Sequence, residues 1–338
     1  MTNPTIDVVV PEHQPGAWLP SCLNSVLDSR HVDVRLLVID DLPGDPDVSA
    51  FVGGLDRVCL IVPSANLGFA AAINRGIDAG DAPYVLLLNQ DARVEPDTLA
   101  RLCARMAGDA TLGSVGGKVL HQATPETPPD GTIDSAGIEF RRGRRSVDIG
   151  RGEPDNGQFD GWREVFGVCA AVALYRRSGL ERVAEGGQIM DESFYMHKED
   201  VDLAWRLRRA GYRAAVDGAA TAFHARGTGR ASGRLVDRRR PWAAIRALIA
   251  AERAKGARIR RLAWRNQLRM VIKNETAAGL GRSMPWLLAH QLGYVGVGMI
   301  LDPVGTLVDR VRFLFELPRL LACRARSGPR VDLPAWLP

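Results

Sequence analysis

Cysteine is scarce and disposed without order. The chain has five, Cys22, Cys59, Cys103, Cys169 and Cys323, an odd number at wide spacings that match no metal-ligand pattern. A disulfide scaffold is therefore excluded, and buried thiols in a reducing compartment are expected. A glycine-rich phosphate loop is missing as well. The first apolar run is followed by Pro11-Glu12-His13-Gln14-Pro15-Gly16, which is not the loop that a dinucleotide oxidoreductase places after its first strand. The start, Met1 to Asp7, has no basic stretch leading into an apolar segment, so no cleaved signal peptide is expected. There is no internal repeat. The arginines form no recognised nucleic-acid module and do not alternate with aromatics, so nucleic acid is not an expected partner.

What is present is the composition of a folded protein: 338 residues, 46% hydrophobic and 25% charged. The net charge of +5 favours anionic partners such as nucleotide phosphates or anionic lipid. Arginine runs occur at Arg141-Arg142-Gly143-Arg144-Arg145, Arg238-Arg239-Arg240, Arg258-Ile259-Arg260-Arg261 and Arg324-Ala325-Arg326, mostly outside the first hundred residues.

Short β-branched runs alternate with helical segments over the first ninety residues. Strands are expected at Ile6–Val10, Val34–Ile39, Val58–Val62 and Tyr84–Leu88, with helices at Trp18–Leu27, Val48–Leu55 and Phe69–Ala79. That alternation predicts an α/β layered domain with a mainly parallel sheet, and polar residues just past its strand ends fall where such sheets bind ligands. Loops rich in Pro and Thr (122–131) and in Gly, Arg and Asp (141–161) flank a short strand near Gly137–Phe140. Val165–Leu174 reads as buried, and Val201–Ala210 as a helix stopped by Gly211. From Pro241 onward the pattern is helical, roughly Trp242–Lys273, Pro285–Ile300 and Val304–Cys323. The middle stretch contains His290 and Gln291 and is short for a bilayer span, so a buried or interfacial helix is expected. The last mixes Val308, Val311, Leu314, Phe315 and Leu317 with Arg310, Arg312 and Arg319, an amphipathic basic pattern suited to anionic lipid; the alternative is a helical cap on the preceding domain.

Three constellations could carry chemistry. Asn89-Gln90-Asp91 follows the strand Tyr84–Leu88, where oxygen-bearing side chains can share a hard cation that bridges diphosphate oxygens; the plainer reading is strand termination. Glu199-Asp200 follows Phe194-Tyr195 and opens an apolar helix, so either acid serves as a proton acceptor or both simply favour the helix start. His224 closes an apolar stretch and becomes a metal ligand only beside a carboxylate. Two smaller signals are Asp40-Asp41, at a strand end where a carboxylate can accept from a base N–H, and Asn66-Leu67-Gly68-Phe69. In the latter Asn66 can cap a helix and Gly68 permits close approach of a ligand.

Taken in order, these motifs, together with Val8-Val9-Val10, Ala70 to Gly76, Gly116-Gly117-Lys118, Asp134-Ser135-Ala136-Gly137, Asp191 to Met196 and Val201-Asp202-Leu203, resemble the inverting glycosyltransferase family 2, and within it the rhamnosyltransferase-like branch. The resemblance covers about residues 5 to 230. It implies a GT-A fold with a C-terminal helical extension, and a metal and diphosphate motif at Asn89-Gln90-Asp91 with Asp91 as main ligand. Mn2+ or Mg2+ would be held by Asp91 with His224. It further implies Asp200 as catalytic base with Glu199 beside it. Asp40, Asp41, Asn66 and Gly68 would line the nucleotide pocket, and Trp162, Asp191 and Glu192 would lie nearer the acceptor.

The implied donor is a nucleotide-diphosphate sugar, with dTDP-rhamnose used in the branch. The implied acceptor is a polyprenyl-diphosphate-linked glycan, a polysaccharide or a small molecule. The expected place is the cytoplasm, peripheral to the inner face of the cell membrane. A catalytically silent relative that scaffolds a membrane-associated assembly is the alternative. The sequence departs from the pattern at Pro11-Glu12-His13, where the family has an Asn-Tyr-Asn type of segment, at Asp41, where the branch has Asn, and over Val183–Asp191. The expected organisation is a catalytic domain at 1–235, divided near residue 120 into a nucleotide half and an acceptor half, then a helical region at 236–325 and a tail at 326–338.

Overall fold

The structure, a computed structural model, describes residues 2–13, 16–41, 46–226 and 241–326. Gln14 and Pro15 of the expected first turn, the loop 42–45, the Arg238-Arg239-Arg240 run, the expected boundary at 235 and the tail from 327 lie outside the described residues. The chain forms two compact units. Of the described residues, one unit comprises those within 2–139, 148–195 and 199–226; the other comprises 140–147, 196–198 and 241–326.

Along the chain come β1 (Thr5–Glu12), α1 (Trp18–Leu27), β2 (Asp33–Asp40), α2 (Pro46–Val52), β3 (Val58–Ile61), α3 (Phe69–Asp78), β4 (Tyr84–Leu88), β5 (Ala92–Val94), α4 (Thr98–Gly108) and β6 (Leu112–His121). They are followed by β7 (Ile133–Ser135), β8 (Ile138–Arg141), β9 (Arg145–Asp148), β10 (Trp162–Val165), β11 (Val172–Arg176), α5 (Arg177–Arg182), α6 (Glu199–Arg209) and β12 (Arg213–His224). The second unit holds α7 (Pro241–Ala254), α8 (Ala257–Asn274), α9 (Ala277–Leu301) and α10 (Pro303–Arg326).

The large sheet has the order β10-β12-β6-β11-β4-β1-β2-β3, with β5 on β12 and β7 on β6. Strands β3, β2, β1 and β4 are mutually parallel, and β12 is parallel to β6. Because β11 is antiparallel to both β4 and β6, all six run the same way, and their C-terminal ends share one edge. This is the expected α/β architecture with a helical extension. Alternate side chains divide the core between the two faces. Val8, Val10, Leu36, Val38, Leu86 and Leu88 pack with α1, α2 and α4. Val9, Leu37, Ile39, Val85, Leu87 and Tyr175 pack with α3, α5 and α6. β1 runs on through Pro11 and Glu12, past the point where the apolar pattern stops, because pairing with β2 continues to Glu12 opposite Asp40.

The second unit corrects three expectations. The single helix expected over Trp242–Lys273 is two, since Gly256 adopts φ 73° and begins α8 anew. α9 does not start at Pro285 but at Ala277, capped by Thr276, whose hydroxyl accepts from Gly279 N at 2.9 Å. At 25 residues α9 is long and apolar enough to cross a membrane, so it is not short for a span, and it is mostly exposed rather than buried. Within the unit, α10 packs on α8 through Trp264 and Phe313, whose ring centroids are 5.7 Å apart, and through Arg265–Asp309 and Arg269–Glu316 ion pairs at 3.4 and 2.5 Å.

Candidate active site

The shared C-terminal edge of the sheet is where ligands of open α/β sheets bind, and the polar residues of the sequence motifs gather there. Antiparallel pairing of β5 with β12 sets Ala92 opposite His224. Asp91 is therefore beside that histidine, its carbonyl accepting from Ala225 N at 2.9 Å. The His224 ring is buried. Its Nε2 lies 3.1 Å from Asp91 Oδ1 and 3.3 Å from Asn89 Nδ2, while its Nδ1 lies 2.9 Å from Asp134 Oδ2. Asp134 also pairs with Arg226, whose Nε is 2.5 Å from Oδ1, and Arg226 reaches Asp148 at 3.0 Å.

Burial by itself would push the His224 pKa down, but its hydrogen bonds to Asp134 and Asp91 and their negative charge prevail, holding it up at about 9. For Asp134 burial acts upward and is outweighed by His224 and Arg226, which hold it down at about 2. A carboxylate on Nδ1 keeps the proton there, so that when Nε2 gives up its own proton, its lone pair faces Asp91.

This set fits a divalent cation. Asp91 Oδ1 and His224 Nε2 converge, and Asn89 Oδ1 next to them is buried without a hydrogen-bond partner. Asp134 is not a further ligand, because it sits on the other ring nitrogen. Among the described residues no group of three or more His, Cys, Asp and Glu side chains is gathered for a metal, so the remaining coordination would fall to donor oxygens and water, as is usual for hard cations on phosphates.

Glu199 and Asp200 open α6 in its first turn. Glu199 is buried, and Asp200 is half-buried with Oδ1 accepting from Val201 N at 2.8 Å. Asp202, in the same turn, is structural: fully buried, it holds Arg206 at 2.9 Å, and Arg206 donates to Val183 O and Ile189 O, tying the preceding loop to the helix. Asp200 and the His224 group share an electrostatic neighbour in the Cys169 thiol. Its pKa is raised first by burial and then by Asp148, Asp200 and Asp134, with Arg226 opposing.

On the β2 side, Asp41 does not present a free carboxylate to a ligand. Its oxygens accept from Leu67 N at 2.5 Å and Gly68 N at 3.0 Å, holding the loop before α3. Asp40 is fully buried. Asn66 does not cap α3, as its local position predicts; the N-cap is Gly68, without a side-chain cap bond. Asn66 instead accepts from Tyr195 O–H at 2.7 Å and lies 3.1 Å from His13 Nδ1, and His13 N donates to Gln90 Oε1 at 2.8 Å. The loops after β1, β3 and β4 are thus joined in one hydrogen-bonded arc. Gly68 has φ 81°, and a Cβ there would lie 2.4 Å from the Tyr195 ring, so the close approach that requires glycine is made by Tyr195.

Of the expected acceptor residues, Asp191 caps the short turn Glu192–Phe194 by accepting from Ser193 N at 2.9 Å. Glu192 accepts from Asn74 Nδ2 at 3.0 Å, and the same amide exchanges two bonds of 2.8 Å with the Met190 backbone. Trp162 is not brought to this group. It lies on the edge strand β10 with the Arg105 guanidinium 4.9 Å above its ring. Asp134, Tyr195, Asn74 and His13 were not assigned roles from the sequence. Asp134, Asn74 and Tyr195 lie in the motifs Asp134-Ser135-Ala136-Gly137, Ala70 to Gly76 and Asp191 to Met196, and His13 in the departing segment Pro11-Glu12-His13.

The profile of the family described as Glycosyl transferase family 2 matches residues 7–184. An N-acetylglucosaminyl-diphospho-decaprenol L-rhamnosyltransferase of Mycobacterium tuberculosis is 28% identical over 250 residues, 67% of this chain and 78% of that protein. A PGL/p-HBAD biosynthesis glycosyltransferase of Mycobacterium bovis is 28% identical over 128 residues, 37% of this chain and 50% of its own length. Among solved structures, GalNAc-T7 with UDP, GalNAc and Mn2+ superposes with a TM-score of 0.53 at 14% identity, over 65% of this chain and 43% of that one.

Proposed function

Since the chain belongs to glycosyl transferase family 2, we propose that it is an inverting, metal-dependent glycosyltransferase that moves a sugar from a nucleotide-diphosphate donor to an acceptor at the inner face of the cell membrane. The observation that carries this reading is the Asp91–His224–Asp134 arrangement at the C-terminal edge of the sheet, with Asp200 on the neighbouring helix start.

A divalent cation, when bound, offsets negative charge developing on the departing nucleotide. Asp91 and His224 Nε2 would hold it, with Asn89 beside them, and Asp134 keeps the imidazole in the ligating tautomer and orientation. Asp200 takes the proton of the attacking acceptor hydroxyl as the sugar is displaced with inversion; Glu199 supports it. The arc of His13, Gln90, Asn66 and Tyr195 shapes the nucleotide side, and the loop that Asp41 pins sets its floor near Asp40. Asp191 and Glu192 border the acceptor side.

The name of the Mycobacterium tuberculosis relative supports L-rhamnose as the sugar and a polyprenyl-diphosphate-linked glycan as the acceptor, and the family resemblance implies dTDP-rhamnose as the donor. A polysaccharide or small-molecule acceptor would use the same groups. Mass spectrometry of the purified protein with Mn2+ or Mg2+, a panel of nucleotide-diphosphate sugars and pooled polyprenyl-linked and soluble acceptors tests the reading. Metal-dependent nucleotide release with a sugar-sized mass gain on one acceptor is expected. Folded protein that neither binds nor turns over any nucleotide sugar would refute it and leave a scaffolding relative in its place.

A further inference from the structure

The last two helices of the second unit present apolar side chains outward, and α10 turns its two acids inward. On α10, Val304, Leu307, Val308, Val311, Leu314 and Phe315 recur at the three- and four-residue spacing of one helix side, and all are exposed, Phe315 at 81%. The opposite side carries Thr306, Asp309, Phe313 and Leu320, buried against the unit. Both acids of α10, Asp309 and Glu316, are on that inner side, engaged by Arg265 and Arg269 of α8. The outer stripe is bordered by cations alone: Arg312 follows Val308 by four residues, Arg319 follows Phe315 by four, and both are exposed. α9 contains no acid, and Trp286, Leu288, Leu292, Met299 and Ile300 stand exposed along it.

Length and composition would let α9 cross a bilayer, but its neighbours forbid it. The Arg142 guanidinium lies 4.9 Å over Trp286 in its first half, Gln291 accepts from Trp264 Nε1 in the middle, and Arg261 pairs with Asp302 just past its C-terminal end. α9 is thereby tied at its middle and just past its C-terminal end to α8, which carries Arg258, Arg260, Arg261, Arg265, Arg269 and Lys273. A helix so charged cannot accompany it into hydrocarbon.

We propose that α9 and α10 form a monotopic membrane-binding surface, lying in the plane of one leaflet with the exposed apolar side chains in the acyl boundary and Arg312 and Arg319 among anionic lipid head groups. The partner is an anionic bilayer, chosen by the purely cationic border of the stripe. The proposal rests on the reading of a membrane-linked acceptor, and its test is arranged to fail separately from that reading.

The experiment is flotation of the full chain with vesicles of phosphatidylcholine, alone or mixed with phosphatidylglycerol. Binding to the mixed vesicles that weakens with salt is expected, and equal binding to both would overturn the electrostatic half of the proposal. A Val311→Asp/Phe315→Asp variant should bind at least about tenfold less, and Arg312→Glu/Arg319→Glu should lose the preference for anionic vesicles. Both should keep nucleotide binding and turnover of detergent-dispersed acceptor, which shows that they fold. Asp200→Asn should float as the parent does, so loss of transfer and loss of membrane binding are read independently. Unchanged flotation of the aspartate variant, a stable soluble dimer that covers the stripe, or resistance of the vesicle-bound protein to alkaline carbonate, the mark of a spanning helix, would each overturn the proposal.

Discussion

Replacing Asp134 by Asn tests whether the buried His224 is held as a metal ligand or is only a packed polar group. The carboxylate accepts from His224 Nδ1 at 2.9 Å through one oxygen and pairs with Arg226 through the other. An amide keeps the volume but can also turn its N–H2 toward Nδ1. The ring then has no fixed tautomer, and its Nε2 lone pair is no longer directed at Asp91. Loss of such a partner behind a ligating histidine weakens metal affinity about 10- to 100-fold, or roughly 1.4–2.7 kcal/mol. Arg226 keeps Asp148 at 3.0 Å, so the buried cation is not stranded, and the fold should lose no more than about 1–3 kcal/mol. Mn2+ titration followed by electron paramagnetic resonance, without donor, reads the affinity directly, and urea unfolding reads the stability. In a His224→Ala background the Asp134→Asn change should have no further effect on Mn2+, because the two act as one unit. Parental affinity in folded Asp134→Asn would refute the orienting role. Additive losses in the double variant would refute the coupling.

Asp200→Asn should retain donor binding and lose transfer by about 10²- to 10⁴-fold, since it preserves size and removes the proton acceptor; steady-state turnover near the parental rate rejects the assignment. Gly68→Ala places a Cβ 2.4 Å from the Tyr195 ring at φ 81°. It should destabilise the fold by at least about 1–2 kcal/mol from backbone strain alone, seen as a lower urea midpoint together with weaker nucleotide binding. Lys118 bonds Asp155 at 2.7 Å and Asp160 at 2.5 Å. The Lys118 hydrogen bond, ahead of other effects, holds the Asp155 pKa below the ordinary carboxylate value, so its stabilisation is present above that value and fades as pH falls through the lowered one. Burial opposes the charge of Lys118, but Asp155 and Asp160 raise its pKa, so its contribution is full below the ordinary lysine value and lost as pH climbs through the raised one. Lys118→Met should therefore flatten both the acid and alkaline limbs of a stability–pH curve, and an unchanged curve contradicts the pairing.

The strands of the first unit were readable because buried parallel strands are short unbroken apolar runs, and the helices because Trp18–Leu27 and Phe69–Asp78 carry one apolar stripe each. Asp91 and His224 stood out as polar residues closing such runs, and pairing of β5 with β12 makes them neighbours. Their relation to Asp134 was not readable. It depends on a contact across 90 residues, and β7, which carries Asp134, has only three. Asn66 was misread for the same reason. Local rules make an Asn before a helix a cap, yet the loop amides are taken by Asp41 from another strand, which frees Asn66 for Tyr195. In the helical region, Gly256 inside an apolar pattern reads as a tolerated glycine, and Pro285 as a helix start. Only the capping by Thr276 and the positive φ of Gly256 show otherwise.

The polarity of α10 also bears on where the second unit works. In water, a bundle gains about 1.5–3 kcal/mol for each Val, Leu or Phe side chain turned inward, while a largely buried Arg–Asp or Arg–Glu pair gains little net because the desolvation of both charges offsets their attraction. Here Val311, Leu314 and Phe315 face outward and the pairs Arg265–Asp309 and Arg269–Glu316 face inward. A helix rotated by half a turn would be the better arrangement for an aqueous protein, and the amphipathic sequence would allow it. The observed choice is favoured once the outer side meets hydrocarbon, where the apolar residues recover their transfer energy and an outward-facing Asp309 or Glu316 would be costly. The same reasoning fixes what a control must show. Exchanging both acids for amides should loosen the α8–α10 packing but leave vesicle binding intact, because neither acid lies on the stripe that meets the lipid.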